Sequence, residues 1–433
     1  MNSIVIDCGA SFIKAALYVD DKEISNIQKK SPAVHKDEKI TDPVQINGLF
    51  QIVKEIISEL ASKVTGDISL AFCNEMHGFI LADEKANPVI DYISWQKEFG
   101  NIEIDGVSSK QLILDSQRDN VRLSGMPLRA GLPSANLLYL SRTKEVSLDG
   151  LYFLTLGDYL IFKLSGQVPC CHPTNAAATG LLDITKNDWN KELIDFVTNG
   201  QKLIFPKVGV EPLNFVFNGK SIKCFPAIGD QQAALLGAQF TDVNEMSFNL
   251  GTGAQVSILV DKPVLSNDNS YQIRPYFNDL YLKTIPHIPS GRAINVFIRF
   301  YQSIFAKFGL DVSEDEIWKN MLTNDCDGSL KIGLGFFENA VDNKTKGHIN
   351  DIGEFDLNFD NLSASVIKQT ADNFIYISKK LYEPKRIKKL VFSGGIARRI
   401  DKIVNRIVKE YNLDYCVSTN DTLVGLHHYI NIK

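Results

Sequence analysis

The sequence lacks an excess of charge of one sign. Of its 433 residues, 46 are basic and 51 acidic, a net charge of −5, and no basic block is large enough to neutralise a run of phosphates, which argues against a nucleic-acid partner. Two small basic groups, Lys385-Arg386 with Lys388-Lys389 and Arg398-Arg399, sit beside helix-like segments and read as solvated faces. No apolar run approaches the ~18 residues that span a bilayer, and the chain reaches strand-like Ser3–Asp7 with no basic leader, so no membrane is expected. The seven cysteines form no CxxC pair and an odd number cannot all be bridged, which fits a reducing cytoplasm. Low-complexity tracts and heptad runs are absent as well.

What remains is the composition of a folded protein, 44% hydrophobic and 22% charged, long enough for roughly 2 to 3 domains. Ile4–Ile6, the turn Asp7-Cys-Gly-Ala-Ser11 and Ile13–Val19 read as strand, glycine turn, strand. The same design returns 242 positions later, in Met246–Leu250, Gly251-Thr252-Gly253 and Ala254–Val260, with Gly9 opposite Gly251. Such an echo predicts two related α/β domains. Between the echoes, residues 48–63 and 189–197 are expected to be helical and 68–72 a strand. Pro206, Pro212, Asn218-Gly219 and Pro226 mark the boundary segment. The chain is therefore divided into residues 1–225 and 226–433.

Asp7 at the end of a buried strand, before a tight turn, suits a carboxylate that holds hydrated Mg²⁺ while the backbone N–H groups of Gly9 and Ser11, helped by Lys14, cradle phosphate. An ordinary hairpin turn explains the same residues; the second turn, Gly251 to Gly253, weighs toward two grips on one polyphosphate. A third signal is Leu390–Arg398, an apolar strand running into Gly394-Gly395 and a helix expected to continue to Tyr411. Its glycines permit close backbone approach to a nucleotide. Asp230, in Gly229-Asp-Gln-Gln232, is expected at a helix N-cap. It could serve there only as a cap, with a low pKa, or as the base that orients a hydroxyl during phosphoryl transfer.

Taken together, Asp7 with Lys14, Glu75-Met-His-Gly78, Trp95, Gly157-Asp-Tyr-Leu160 before Thr174-Asn-Ala176, Gly229–Gln232, Gly251–Gly253 and Ser393–Gly395 resemble the FGGY carbohydrate kinases in kind and in order. The resemblance spans essentially the whole chain. It implies an α/β fold of two actin-like (ribonuclease H-like) ATPase domains flanking a central cleft, with ATP and Mg²⁺ as cofactors. It also implies γ-phosphate transfer to a sugar or polyol hydroxyl, with Asp230 as the base and Asp7 and Asp230 as metal residues acting through water. Gly9, Ser11, Lys14, Gly251, Thr252, Gly253, Gly394, Gly395 and Ala397 are the implied ATP and phosphate residues. Met76, His77, Gly78, Trp95, Asp230 and Asn278 are the implied sugar residues. The Met76–Gly78 loop is most similar to xylulokinases, while Tyr276-Phe-Asn278 with the later Ser290-Gly291 is most similar to sedoheptulokinases. A ketoheptulose or ketopentulose is accordingly the expected acceptor.

Departures from that pattern give a second reading, a sugar or nucleotide sensor that has lost turnover. Ala10 stands where relatives carry Thr, the acidic and arginine positions after Trp95 are replaced, and Glu75 stands where xylulokinases carry Gln. Gly131 replaces an aromatic residue and is expected to enlarge the pocket. His172 replaces an acid and has no assigned role. Cys170-Cys171 beside His172 reads as a buried small pair, with no further ligand at metal spacing. A homodimer is compatible with the sequence, which does not itself fix the oligomeric state.

Overall fold

The computed structural model describes residues 1–32, 40–251, 253–323, 326–342, 345–419 and 421–432. In chain order its principal elements begin with β1 (Asn2–Cys8), β2 (Phe12–Val19), β3 (Lys22–Lys30), α1 (Val44–Ser62) and β4 (Ile68–Asn74). Next come α2 (Leu156–Ser165), α3 (Pro173–Ala178), β5 (Leu213–Phe217), β6 (Lys220–Cys224), β7 (Ile228–Gly229) and α4 (Asp230–Gly237). There follow β8 (Glu245–Asn249), β9 (Ala254–Val260), β10 (Gln272–Pro275), β11 (Tyr281–Ile288) and α5 (Gly291–Lys307). The chain ends with β12 (Lys389–Ser393), α6 (Gly395–Arg399), α7 (Asp401–Tyr411), β13 (Asp414–Val417) and α8 (Thr422–Asn431).

These elements form two compact units. Unit 1 comprises Met1–Gln239, Asp261–Tyr281 and Asn420–Lys433; unit 2 comprises Phe240–Val260 and Leu282–Thr419. The boundary expected at residue 225 falls inside one sheet, because β6 and β7 on either side of it both pair in parallel with β4. The proline-rich segment read as a linker is instead partly the antiparallel hairpin β5–β6.

In unit 1 the strands run β5-β6-β4-β1-β2-β3, with β7 also on β4. β1 pairs antiparallel with β2 and parallel with β4, and as a central strand it is apolar on both faces, with Ile4, Val5 and Ile6 fully buried. β3, by contrast, is a polar edge, rich in lysine. Helix α1 buries Ile46, Leu49, Val53, Ile56, Ile57 and Leu60, a helical stripe that packs into the core with Phe72, Tyr159 and Ile222. Burial of each such large side chain stabilises by about 1.5–3 kcal/mol. A second core, around Phe79, Leu137 and Phe153, anchors the chain on either side of the loops that follow β4. Its rings Phe79, Phe153 and Phe205 stack at 5.1 and 4.8 Å.

Unit 2 repeats the plan, with its strands in the order β11-β9-β8-β12-β13. β8 is antiparallel to β9 and parallel to β12, which is parallel to β13. These relations match β1 to β2, β4 and β6, so the echo read in the sequence is a repeat of topology. Phe248 and Phe392 stack at 5.1 Å within its core.

Two helices differ from expectation. Trp189 closes a two-residue strand, and the helix begins at Lys191 because the Asn190 side chain accepts the Leu193 N–H. The helix after Gly394 is broken at Ile400 into α6 and α7, where the backbone leaves helical geometry. Among the described residues no helix is long and apolar enough to cross a membrane.

Candidate active site

Three carboxylates gather at the carboxyl ends of parallel strands in unit 1. Asp7 lies in β1, Glu75 follows β4, and Asp230 follows β7, with Asp7 and Ile228 both in register with Cys73 of the central strand. Asp7 and Asp230, expected from opposite halves, therefore belong to one unit. Asp230 is the first residue of α4 rather than its N-cap, which is Gly229. Its carboxyl is not kept low by the helix end. Burial, then the negative charge of Asp7, push it up to about 7, although the Gln231 N–H, 2.8 Å from Oδ1, and Arg274 act the other way. Asp7 is itself raised by burial, against the pull of the Thr422 hydroxyl, which donates to Oδ2 at 2.6 Å, and of the Lys14 charge. Glu75 is raised by burial and eased by Tyr92 and Trp95 beside it.

Several contacts fix this arrangement. Asn175 Nδ2 donates to Asn74 Oδ1 and to the Ala227 carbonyl at 3.0 and 2.8 Å, tying the ends of β4 and the β7 approach together. The Thr174 hydroxyl accepts the Gly229 N–H at 3.1 Å, holding the residue before Asp230. His172 supplies the support behind it: its Nδ1 accepts the Thr174 N–H at 3.2 Å as the N-cap of α3, and burial drives its pKa down to about 3. The residue without an assigned role is thus a neutral structural cap. Helix α8, which carries Thr422, lies against α4 at Gly425, where an added Cβ would overlap the Ala233 carbonyl. Only glycine allows that approach.

Of the residues expected at the sugar, Met76 lies beside Gly229 and Trp95 beside Glu75. Met76 is buried, and His77, at φ +68°, donates Nδ1–H to the Ala178 carbonyl at 2.6 Å, which leaves Nε2 as the acceptor. Burial, with Arg274 next in effect, takes its pKa down to about 3, so the ring is neutral. Gly78 leaves room for the Tyr92 ring. Trp95 is 51% exposed, an open flat surface and no core aromatic. Gly131 does not enlarge a pocket: the Trp95 carbonyl occupies the space that a Cβ would need. Asn278 is exposed in the turn after β10, at φ +56°, a conformation asparagine tolerates. It is not among the side chains gathered around Asp230.

Sequence reasoning missed Arg274. This guanidinium, 7% exposed on β10, donates Nη1–H to Gln231 Oε1 at 3.1 Å and Nη2–H to Gln272 Oε1 at 2.7 Å, and lies 3.9 Å from Met76 Sδ. Burial lowers its pKa to about 10. The available signal was a lone arginine inside the otherwise uncharged strand Gln-Ile-Arg-Pro.

Around the first glycine turn, Gly9 N–H bonds the Phe12 carbonyl, and the Ser31 hydroxyl holds the Gly9 carbonyl at 2.6 Å. Ala10 and Ser11 line a cavity of about 450 Å³ with Ser31, Glu75 and Gln96. Lys14 stands opposite Asp7 in the β1–β2 register and is exposed. In unit 2, Gly251 and Gly394 come together: Leu250 N–H donates to the Ser393 carbonyl at 2.8 Å and Ile396 N–H to the Leu250 carbonyl at 3.0 Å. Gly394, at φ +94°, would bring a Cβ to 2.5 Å from the Leu250 carbonyl, so the close turn requires glycine. Gly253 and Gly395 face open space, whereas the Ala397 side chain is buried. Thr252 lies outside the described residues.

For Mg²⁺, the fit rests on Asp7 and Asp230, whose mutual repulsion a cation would relieve. Among the described residues no group of three or more His, Cys, Asp or Glu closes around a point. In the Cys170-Cys171-His172 run, Cys170 is half-buried, Cys171 is buried and His172 is a helix cap.

Known proteins resemble the chain in sequence over part of its length and in fold over nearly all of it. Residues 3–211 match the N-terminal domain of the FGGY family of carbohydrate kinases. A glycerol kinase of Mycoplasma genitalium is 28% identical over 219 residues, 47% of this chain and 42% of that protein. The chain therefore aligns with less than half the length of that relative. Among solved structures, a xylulose kinase of Lactobacillus acidophilus superposes with a TM-score of 0.81 at 20% identity, over 99% of this chain and 89% of the other. A gluconate kinase of the same organism gives 0.79 at 20% identity, over 99% and 88%. The likeness in structure shows the fold of these two solved kinases, and over residues 3–211 the sequence is similar to the N-terminal domain of the FGGY carbohydrate kinases.

Proposed function

We propose that the protein transfers the γ-phosphate of ATP to a hydroxyl of a sugar or polyol. The observation that carries this reading is the meeting of Asp7 and Asp230 at the ends of β1 and β7, with Asp230 held near neutrality. A carboxylate of that pKa accepts a hydroxyl proton efficiently near pH 7. Bound ATP would supply the phosphoryl group, and Asp7 and Asp230 are the residues that would hold Mg²⁺, which would offset the phosphate charge.

Within this reading Asp230 orients the acceptor hydroxyl and takes its proton. His77 presents Nε2 to a second hydroxyl, and Trp95 offers a flat apolar face beside Met76 and Gly78. Gly9, Ser11 and Lys14 bind phosphate in unit 1, while Gly251, Gly253, Gly394 and Gly395 receive the nucleotide in unit 2. A ketose, heptulose or pentulose, is the neutral acceptor the sequence favours, and seven free thiols suit a reducing cytoplasm. A coupled ADP-release screen over ketoses, polyols and sugar acids tests the reading. Acceptor-dependent, Mg²⁺-dependent ADP release is expected; tight sugar binding without ADP would instead identify the sensor.

A further inference from the structure

Side chains along β1 alternate between the two faces of its sheet. Ile4 and Ile6 belong to the core that α1 covers. Ser3 and Asp7 take the other face, and both meet α8. The Ser3 hydroxyl lies 3.1 Å from His427 Nδ1, and the Thr422 hydroxyl donates to Asp7 Oδ2 at 2.6 Å, across 415 positions of sequence. The helix is thus fastened to β1 at two points. At the first, an ionised Asp21 can only accept, so His427 Nε2–H donates to its Oδ1 at 3.0 Å, Nδ1 takes the Ser3 hydroxyl hydrogen, and the ring stacks on Tyr18 at 4.2 Å. Helix α4 adds a third constraint. Gly237 and Gly425 bring the two helices so close that an added Cβ would overlap the Asp421 carbonyl from one side and the Ala233 carbonyl from the other. Sliding α8 along its axis would break all three contacts.

The helix itself has no need of the Thr422 hydroxyl. Asp421 already caps it, accepting the Leu423 and Val424 N–H groups at 2.8 and 3.4 Å. Asp7, in contrast, needs a partner to choose its rotamer: the charge of Lys14, across the ladder, draws it one way and that of Asp421 repels it, while the Cys73 thiol is only a weak donor. Thr422 takes Oδ2, and among the described residues Asp7 makes no ion pair with Lys14. Oδ1 remains on the side of the first glycine turn, 4.0 Å from where a Gly9 Cβ would stand. A hydroxyl holds the carboxylate without cancelling its charge, as a lysine would. We propose that Thr422 is the positioning residue of Asp7, holding Oδ2 so that Oδ1 is turned to the hydrated Mg²⁺ that accompanies ATP. The inference goes beyond the proposed phosphotransfer and rests on its assignment of Asp7 to the metal.

The test is calorimetry of ATP binding to the full chain in Mg²⁺ and in EDTA, with coupled ADP release over the acceptor panel run beside it. The quantity read is the factor by which Mg²⁺ strengthens ATP binding. Thr422→Val keeps the shape and deletes the donor; it should reduce that factor about 3- to 10-fold, the range of one net hydrogen bond, and leave binding in EDTA unchanged. Thr422→Ser should restore the factor. In an Asp7→Ala background Thr422→Val should have no further effect, because the acceptor is already gone. Thr422→Ala repeats the measurement should the valine variant misfold. A fall in melting temperature with the factor unaltered, or equal weakening in both media, would mark a structural role and overturn the proposal. Wild-type ATP binding that Mg²⁺ does not strengthen would overturn it as well. A metal-dependent loss in Thr422→Val, with no ADP from any acceptor in the wild type, would support the proposal and reject the kinase reading. Acceptor-dependent ADP release whose Mg²⁺ dependence is the same in Thr422→Val and the wild type would do the reverse.

Discussion

The two glycine turns occupy the same place in the two units, yet their flanking side chains differ in charge. In unit 1 the residue at the end of the first strand is Asp7, and across the ladder stands Lys14. In unit 2 the residue 242 positions on is Asn249, and across the ladder stands Gln255. The backbone plan is shared: an antiparallel partner on one side, a parallel partner on the other. The charged pair suits a hydrated cation and phosphate; the amide pair keeps the second turn neutral, with Asn249 Oδ1 packed beside Gly251 and Gly394. The repeated scaffold thus carries a charged pair in one copy and an amide pair in the other.

The sharpest way to break that comparison is to remove the base from unit 1. Asp230→Ala should lower acceptor phosphorylation by about 10²- to 10⁴-fold while ATP affinity, attributed to the turns of unit 2, changes little. Coupled ADP release and ATP calorimetry read the two effects separately; full activity in the variant would discard Asp230 as the base. A smaller loss, about 10²-fold, is expected from Asp7→Asn, which gives the first turn the amide of the second. The reciprocal Asn249→Asp places a carboxylate beside the phosphates and should weaken ATP binding about tenfold, or roughly 1.4 kcal/mol. Unaltered Mg²⁺ dependence in Asp7→Asn would show that the acid and amide turns are equivalent after all.

Both turns were legible in the sequence because each is local: an apolar strand, a glycine turn and a second strand lie within some twenty residues. The resemblance to the FGGY kinases rested on the order of short motifs. The pKa of Asp230 was not legible, since it depends on Asp7 and Glu75, brought beside it by the pairing of β1 and β7 with β4. Arg274 was missed for the same reason: a lone arginine in a strand discloses its neighbours only after β10 docks at Gly125. The domain division failed at residue 225 because proline and glycine mark a hairpin as readily as a linker, and because α8 returns from the far end of the sequence to pack on α4. Glycine at 131 reported crowding where lost volume had suggested space.

Stability should separate the units more gently. Gly425→Ala forces a methyl group into the Ala233 carbonyl and should cost about 1–3 kcal/mol, displacing α4 and with it Asp230. Gly253→Ala in unit 2 meets nothing within 4 Å and should stay within about 0.5 kcal/mol. Thermal unfolding of both variants makes the comparison; equal losses would show that the α4–α8 contact is not tight in solution.

The smallest effect is one of pH, and its sign follows from Asp230. Burial and then Asp7 raise its carboxyl to about 7 in the folded chain, against the ordinary value of 3.8 in the unfolded chain. The folded state therefore holds a proton that the unfolded state releases between those values, and stability from this group is present below about pH 4 and lost as pH rises through 7. Asp230→Asn removes the titration, so its melting temperature should gain on that of the wild type between pH 5 and pH 8. Activity runs in the opposite direction, because the base must be ionised: acceptor kcat/KM in the wild type should fall as pH drops below about 7. Glu75→Gln removes one of the charges that raise Asp230 and should move that limb to lower pH. A limb that stays in place, together with a melting difference independent of pH, would mean that the carboxylates of unit 1 do not sense one another, and that the two turns differ in composition without differing in electrostatics.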